Sequence, residues 1–459
     1  MVRIGTIDQR FMSYNIEMVE VTGGRFWKPY DSASQPQSDL FEYRPPIDLA
    51  NPKLRKLALA LAPAYLRVSG TWANATYFAD LDSTSRPPAG FDGVLNRQQW
   101  QGVVDFSKAV GAQIVTSFAV SPGTRDAAGI WSPDHARRLL TYTHAIGGRI
   151  AAAEFMNEPD VAANGRSAAS ADVASYARDF RAFVALLKES FPEILILAPG
   201  TAGEVASASE LLASATGSVD AISYHNYGTL SERCSGRSSL AEALSEQHLA
   251  QTDRTLAFYR SLRDIFAPGK PIWLTETAEA ACGGNRWDAT FLDTFRYLDQ
   301  LGRLAAAGVA VVMHNTLAAS DYGLLDQRTL EPRPNFWGAV LWRQLMGDVV
   351  LDPGVPAATG LRVYAHCQRG AKGGVSLLLI NIGQASHTLI LAVTATRYVL
   401  QAAHLQDKRV LLNGVPLQIG LEGDLPQIAG MQTAAGALTI APATITFLTV
   451  PEAANKACQ

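Results

Sequence analysis

Eight short apolar runs, separated by stretches of helical periodicity, constrain this 459-residue chain more than any other feature. They are Phe11 to Ile16, Ala64 to Val68, Gln113 to Phe118, Ala152 to Met156, Ile194 to Ala198, Ala221 to His225, Ile272 to Thr275 and Val309 to Met313. Apolar residues that follow one another, rather than alternate with polar ones, suit strands buried on both faces of a parallel sheet. The helical stretches are Pro52 to Leu61, Gln98 to Val110, Pro133 to Ile146, Ser170 to Ser190, Leu240 to Phe266 and Asp288 to Ala307. Gly111 and Gly308 each stand between a helical stretch and the next strand, where a helix C-terminal glycine belongs. Repeated βα units with eight strands predict an α/β fold, a (β/α)8 TIM barrel over residues 9–345.

Beyond the helix-like Phe336 to Met346 the pattern changes. Val363 to His366, Val375 to Asn381, Thr388 to Val393, Tyr398 to Leu400, Arg409 to Leu412, Leu438 to Ile440 and Thr444 to Val450 read as strands broken by Gly, Asn and Pro. No amphipathic helix interrupts them. Residues 346–459 therefore read as a C-terminal β-sandwich domain, to which residues 1–8 contribute a strand over Val2 to Thr6.

A net charge of −3 without any block of five basic residues gives no footprint for nucleic acid or an anionic membrane. No apolar run is long enough to span a bilayer. Cys234, Cys282, Cys367 and Cys458 lack CxxC spacing and a matching His pattern, so no metal or other cofactor is expected. Cys234 and Cys282 follow proposed barrel strands, so they either meet at the rim as a disulfide in an exported protein or remain free thiols. Cys367 and Cys458 are expected to be unpaired.

Two apolar runs end on carboxylates, in Glu154-Phe155-Met156-Asn157-Glu158-Pro159 and in Pro271-Ile272-Trp273-Leu274-Thr275-Glu276-Thr277. Placed at the C-terminal ends of the fourth and seventh strands, Glu158 and Glu276 would face the mouth where barrel active sites are built. Cleavage of a glycosidic bond uses such a pair, one acid to protonate the leaving oxygen and a second carboxylate across the anomeric carbon. A separation of about 5–5.5 Å implies retention through a covalent intermediate.

Asn157-Glu158-Pro159 and Glu276 resemble the acid/base and nucleophile signatures of clan A retaining glycosidases. The segment Pro52 to Gly70, Trp273-Leu274-Thr275-Glu276-Thr277, Gly283-Gly284, Phe336-Trp337 and Leu345-Met346-Gly347 narrow the resemblance to the heparanase relatives of glycoside hydrolase family seventy-nine. The resemblance implies Glu158 as a protonated acid/base and Glu276 as an ionised nucleophile. It also implies contact of Asn157 with the sugar 2-hydroxyl and orientation of the nucleophile by Tyr227. A uronate carboxylate would be received by Gly283, Gly284 and the Tyr322 hydroxyl, and sugar hydroxyls by Glu17.

The implied function is a retaining endo-β-glucuronidase acting on heparan-sulfate-type glycans; the alternative is an exo-acting enzyme that releases terminal glucuronic acid. The implied partner is a glucuronic-acid-containing polysaccharide or oligosaccharide, bound by a monomer secreted or periplasmic in a bacterium. Scattered Lys28, Arg125, Arg233, Arg237 and Arg286 replace the basic clusters that flank the cleft in mammalian heparanases. Glu154 and Glu279 read as structural acids, and Arg67 as a buried ion-pair partner. His225 and His314 either line the cleft or sit in the core. Trp72, Trp131 and Trp287 either stack on sugar or pack internally.

Overall fold

The structure is a computed structural model that describes residues 1–31, 39–81, 84, 86–161, 173–237, 239–354 and 358–459. Eight parallel strands close a barrel, with Met12–Glu17, Ala64–Ser69, Ala112–Ser117, Ile150–Glu154, Leu195–Ala202, Ala221–Leu230, Ile272–Ala281 and Val311–His314 as its first to eighth staves. The sixth and seventh run five or six residues beyond the apolar runs read from sequence. Leu240 to Phe266 divides into helices Glu246–Leu249 and Gln251–Phe266. The helix read from Ser170 is described from Val173, and residues 170–172 lie outside the described residues. A further helix, Ser207–Ala215, follows the fifth strand.

Side chains two residues apart on a strand share a face, and here they sort the barrel interior into layers. The lower layer is apolar and includes Tyr65, Val115, Ala152, Leu197, Trp273 and Met313, with the Tyr65 and Trp273 rings 4.8 Å apart. Two residues further along, Arg67, Ser117, Glu154 and Thr275 are buried polar groups that form the layer above. The polar floor of the mouth thus rests on a packed apolar plug.

The C-terminal strands form a nine-stranded antiparallel sheet in which Val2–Thr6 pairs with Met346–Asp352. A two-stranded sheet of His387–Leu391 and Gly436–Ile440 covers one face, where Leu377, Leu379 and Leu448 meet Leu391, Leu438 and Ile440. The opposite face sends Leu378, Ile380, Ile445 and Phe447 into the core shared with helices Phe291–Ala306 and Pro334–Leu345. Strand Val375–Asn381 is buried along its whole length because both faces are covered. The sandwich is consequently fused to the barrel by an apolar interface.

Both cysteine pairs are bonded: Cys234 to Cys282, and Cys367 to Cys458. The second bond corrects the expectation of unpaired thiols. The C-terminal turn Lys456–Cys458 folds back along Leu361–Gln368, with the Gly373 N–H donating to the Cys458 carbonyl at 2.7 Å. This return is tertiary, across 91 residues, and carries no local sequence signal.

The bond closes a long loop, so the double variant Cys367→Ser with Cys458→Ser is expected to lose about 2–5 kcal/mol in denaturant unfolding. Turnover at room temperature is expected to stay near wild type, since the bond lies in the sandwich. An unchanged unfolding midpoint would refute the constraint.

Candidate active site

Arg67 rises from the second strand into the floor of the mouth with 1% of its surface exposed. Its Nε and Nη2 both donate to Glu154 Oε2, at 3.0 and 2.8 Å, and Nη1 donates to Glu276 Oε2 at 2.9 Å. Nη2 also donates to Asn157 Oδ1 at 2.8 Å and lies 3.2 Å from His225 Nε2. Thr275 Oγ1 satisfies the other Glu154 oxygen at 2.9 Å. Burial alone would raise the Glu154 pKa, but the Arg67 and His225 charges and the hydrogen bonds from Arg67 and Thr275 together outweigh it and hold the carboxyl below its ordinary value. Glu154 is therefore a structural anion, and Glu279 is likewise engaged by structural partners, Arg296, His248 and Trp287.

Glu276 owes its position to a bulge. On one side Tyr224 pairs with Leu274 but His225 with Glu276; on the other, Val312 pairs with Leu274 and His314 with Thr277. The seventh strand thus carries one extra residue against both neighbours. Adjacent side chains normally point to opposite faces, yet Thr275 reaches Glu154 and Glu276 reaches Arg67, both within the barrel. The strand then continues to Ala281, so Glu276 stands inside it and not at its end.

Glu158 follows the fourth strand in a turn with φ of +44°. The preceding Asn157 is clamped by Asn74, which accepts from the Asn157 N–H at 2.9 Å and donates to its carbonyl at 2.8 Å. Glu158 Oε1 lies 2.8 Å from His225 Nδ1, and this nitrogen lies 3.7 Å from Glu276 Oε2. Facing carboxylate oxygens of Glu158 and Glu276 fall within 4.8 Å of each other. Burial disfavours the His225 imidazolium, but the Glu276 charge and the hydrogen bond to Glu158 outweigh it and raise the pKa. Asp160, whose carboxylate accepts from the Ala202 N–H, is pushed up to about 6 by burial and by the Glu158 charge.

Above Glu276 the Tyr227 hydroxyl donates a short hydrogen bond to Oε1, while Asn315 Nδ2 donates to the Tyr227 oxygen at 2.9 Å and to Glu17 Oε1 at 3.2 Å. Glu17 is buried, and its pKa is raised well above the carboxylate range by burial and then by the Glu276 charge. Its carboxylate lies over Gly70, where a Cβ would meet Oε2. These groups line a cleft of about 670 Å³ that includes Glu17, Asn157, Glu158, Tyr227, Glu276 and Tyr322. Trp27, Phe41 and Trp72 form an aromatic wall, with the Trp27 and Phe41 rings 4.5 Å apart.

Of the residues singled out in sequence, Gly283 and Gly284 lie in the loop after the seventh strand, beside Trp27 and the Tyr322 backbone. His314 is a core residue whose Nε2 lies 2.7 Å from the Tyr322 carbonyl, and burial lowers its pKa to about 4. Trp131 is buried and Trp287 bonds to Glu279, which leaves Trp72 in the cleft. Asn74, Asn315 and Trp27 were not read from sequence. The first two are polar residues just past the second and eighth strands, a signal that could have found them.

Residues 30–302 match the model of the glycosyl hydrolase family 79 N-terminal domain. Heparanase-like protein 1 of Arabidopsis thaliana is 26% identical, over 94% of this chain and 90% of that protein. A hyaluronoglucuronidase of Hirudo nipponia is 27% identical, over 90% of this chain and 92% of its own length. The crystal structure of a 4-O-α-L-rhamnosyl-β-D-glucuronidase from Fusarium oxysporum superposes with a TM-score of 0.68, covering 98% of this chain and 97% of that one at 16% identity.

The raised His225 pKa generates a pH prediction. A group that binds its proton more tightly when folded contributes fully below its ordinary value of 6.5, and that contribution fades as pH rises through the raised value. The stability gap between wild type and His225→Gln, measured by urea unfolding, should narrow from about pH 5 to about pH 8. A gap that widened with pH would contradict this.

Proposed function

The chain belongs to glycoside hydrolase family 79, and from that premise we propose that it is a retaining endo-β-glucuronidase cleaving internal linkages of heparan-sulfate-type chains. The observation that carries the reading is the approach of facing Glu158 and Glu276 oxygens to within 4.8 Å in one cleft, which supports direct attack on an anomeric carbon held between the two acids. Glu276, held by Arg67 and Tyr227, attacks the anomeric carbon as Glu158 protonates the departing glycosidic oxygen. The carbon–oxygen bond to the aglycone breaks as the bond to Glu276 forms. Glu158, now ionised, takes a proton from water, which displaces Glu276 from the sugar and restores both acids.

Asn157 is assigned to the 2-hydroxyl, a contact that strengthens as charge develops on the ring. Arg67 supports this role, because it occupies Asn157 Oδ1 and leaves the amide NH2 as the group available to the sugar. The uronate carboxylate is assigned to the Gly283 and Gly284 N–H groups and the Tyr322 hydroxyl, and neighbouring hydroxyls to Glu17. Discrimination against neutral sugars then rests on buried donors that glucose would satisfy less well. Arg125 and Arg233 are engaged by Asp179 and Asp321, which supports a cleft that reads uronate before sulfate. Two disulfides support an oxidising location, secreted or periplasmic.

An exo-acting reading is favoured by one feature, the antiparallel pair Gly24–Trp27 and Phe41–Arg44. This pair brings Trp27 against Gly283 and walls one side of the cleft. Size analysis of heparan sulfate digests separates the two: endo cleavage lowers chain length early, whereas trimming of single sugars from the non-reducing end rejects it.

Glu276→Ala should fold and lose nearly all turnover, roughly four orders of magnitude or more. Glu158→Ala should lose about 100-fold or more on a natural glycan but much less on an aryl glucuronide with a good leaving group. Equal losses on both substrates would count against the acid role. Proton NMR of the first-formed product should show the β anomer; an α anomer would reject retention.

A further inference from the structure

The Gly283-Gly284 turn contains two buried backbone N–H groups that donate to nothing among the described residues. Buried amides are nearly always paired, so a free pair beside a cleft points to a ligand acceptor. Cys282, Gly283 and Gly284 have φ of +61°, +84° and +92°, a left-handed run that glycine tolerates. The site is tight as well. A Cβ on Gly283 would lie 2.5 Å from Trp27 Cβ, and one on Gly284 would lie 2.7 Å from Asp288 Oδ2 and 3.0 Å from the Tyr322 nitrogen.

The far ends of the same peptide units are fully engaged. The Gly283 N–H belongs to the peptide whose oxygen is the Cys282 carbonyl, which accepts from Arg233 Nη1 at 3.1 Å and Ser231 Oγ at 3.3 Å. The Gly284 N–H shares a peptide with the Gly283 carbonyl, which accepts from Ser320 Oγ at 2.9 Å and the Asp321 N–H at 3.0 Å. Arg233 Nη1 also donates to the Gly284 carbonyl at 2.7 Å. Withdrawing charge through a carbonyl strengthens the N–H on the other side of that amide, and most when the donor is a cation.

Arg233 itself has little freedom. Its Nη2 donates to the Lys28 carbonyl at 2.6 Å and pairs with Asp321, and its guanidinium carbon sits 3.8 Å from the centre of the Tyr30 ring. The neighbouring Cys234 is bonded to Cys282, which ties the Arg233 turn to the glycine turn. With its guanidinium spent on the Cys282, Gly284 and Lys28 carbonyls and on Asp321, Arg233 acts through the peptides and not on the sugar.

We infer that Arg233 and Ser320 are positioning residues that polarise the Gly283 and Gly284 N–H groups toward a sugar carboxylate, and so set the preference for uronate over neutral sugar. This inference rests on the preceding assignment of the uronate to the glycine turn. Ser231 and the Asp321 backbone complete the polarising set.

The test compares wild type, Arg233→Gln and Ser320→Ala on an aryl β-glucuronide and the matching aryl β-glucoside, with thermal melting as a check on folding. Arg233→Gln should lose about 10- to 100-fold in glucuronide kcat/KM, chiefly through KM, while the glucoside changes by about twofold or less. Ser320→Ala removes one neutral donor and should show the same selective loss at about 3- to 10-fold. Folded variants in which both substrates fall together, or neither falls, would overturn the inference by showing a role in general stability or none. A wild-type enzyme without preference for the glucuronide would instead remove the parent assignment, and this inference with it.

Discussion

A guanidinium sealed beneath the barrel mouth governs the rest of this site. Arg67 is nearly inaccessible, and removing an ion from water costs several kcal/mol unless partners meet it closely. Here Glu154 accepts from Nε and Nη2, Glu276 from Nη1, and Asn157 Oδ1 shares Nη2 with Glu154. Burial works against the charged guanidinium, yet Glu154 and Glu276 more than offset it and its pKa rises. The cation therefore fixes three functional elements together: the anion that precedes the Asn157-Glu158 turn, the amide of Asn157, and one oxygen of Glu276. Balancing the Glu276 carboxylate and orienting its neighbours are one act.

Such an arrangement requires side chains from different strands to arrive at one height, and regular strands do not deliver it. The bulge at Thr275 and Glu276 turns two consecutive residues inward, so that Thr275 completes Glu154 while Glu276 meets Arg67. Gly70 and Gly200 make room, since a Cβ on the first would strike the Glu17 carboxylate and one on the second would crowd Glu154 at 3.1 Å. Local departures from ideal geometry thus coincide with the carboxylates.

The barrel was legible because its lower half obeys one rule, apolar side chains on both faces of each strand, and so Ala152 to Met156 or Ile272 to Thr275 reads as a strand without further context. The same rule stops too early at the mouth. Asn226, Thr277 and Glu279 look like the end of an apolar run, yet they are buried in strands, with Thr277 bonded to the Asn226 carbonyl and Glu279 paired with Arg296. Glu158 and Glu276 stood out because each follows an apolar run within a recognisable motif. Asn74 and Asn315 lie in no such motif, and their importance comes from distant partners, Asn157 across 83 residues and Glu17 across 298. The Cys367–Cys458 bond escaped for the same reason, because pairing depends on where the chain returns.

Rigidity at the mouth also depends on what supports the barrel from below. Arg343, on the helix Pro334–Leu345, donates to the carbonyls of Gln9, Met12 and Leu61, binding the last barrel helix to the entry of the first strand. The next residues, Met346–Asp352, pair with the N-terminal strand Val2–Thr6 and open the sandwich sheet. Leu378 and Ile380 of that sheet then pack into the barrel's own core. A path of packed and hydrogen-bonded elements therefore leads from the sandwich to the strand that ends in Glu17. Its physical role is to hold the first stave in register with its neighbours Ala64–Ser69 and Val311–His314, on which the meeting of Glu17, Asn315 and Tyr227 over Glu276 depends.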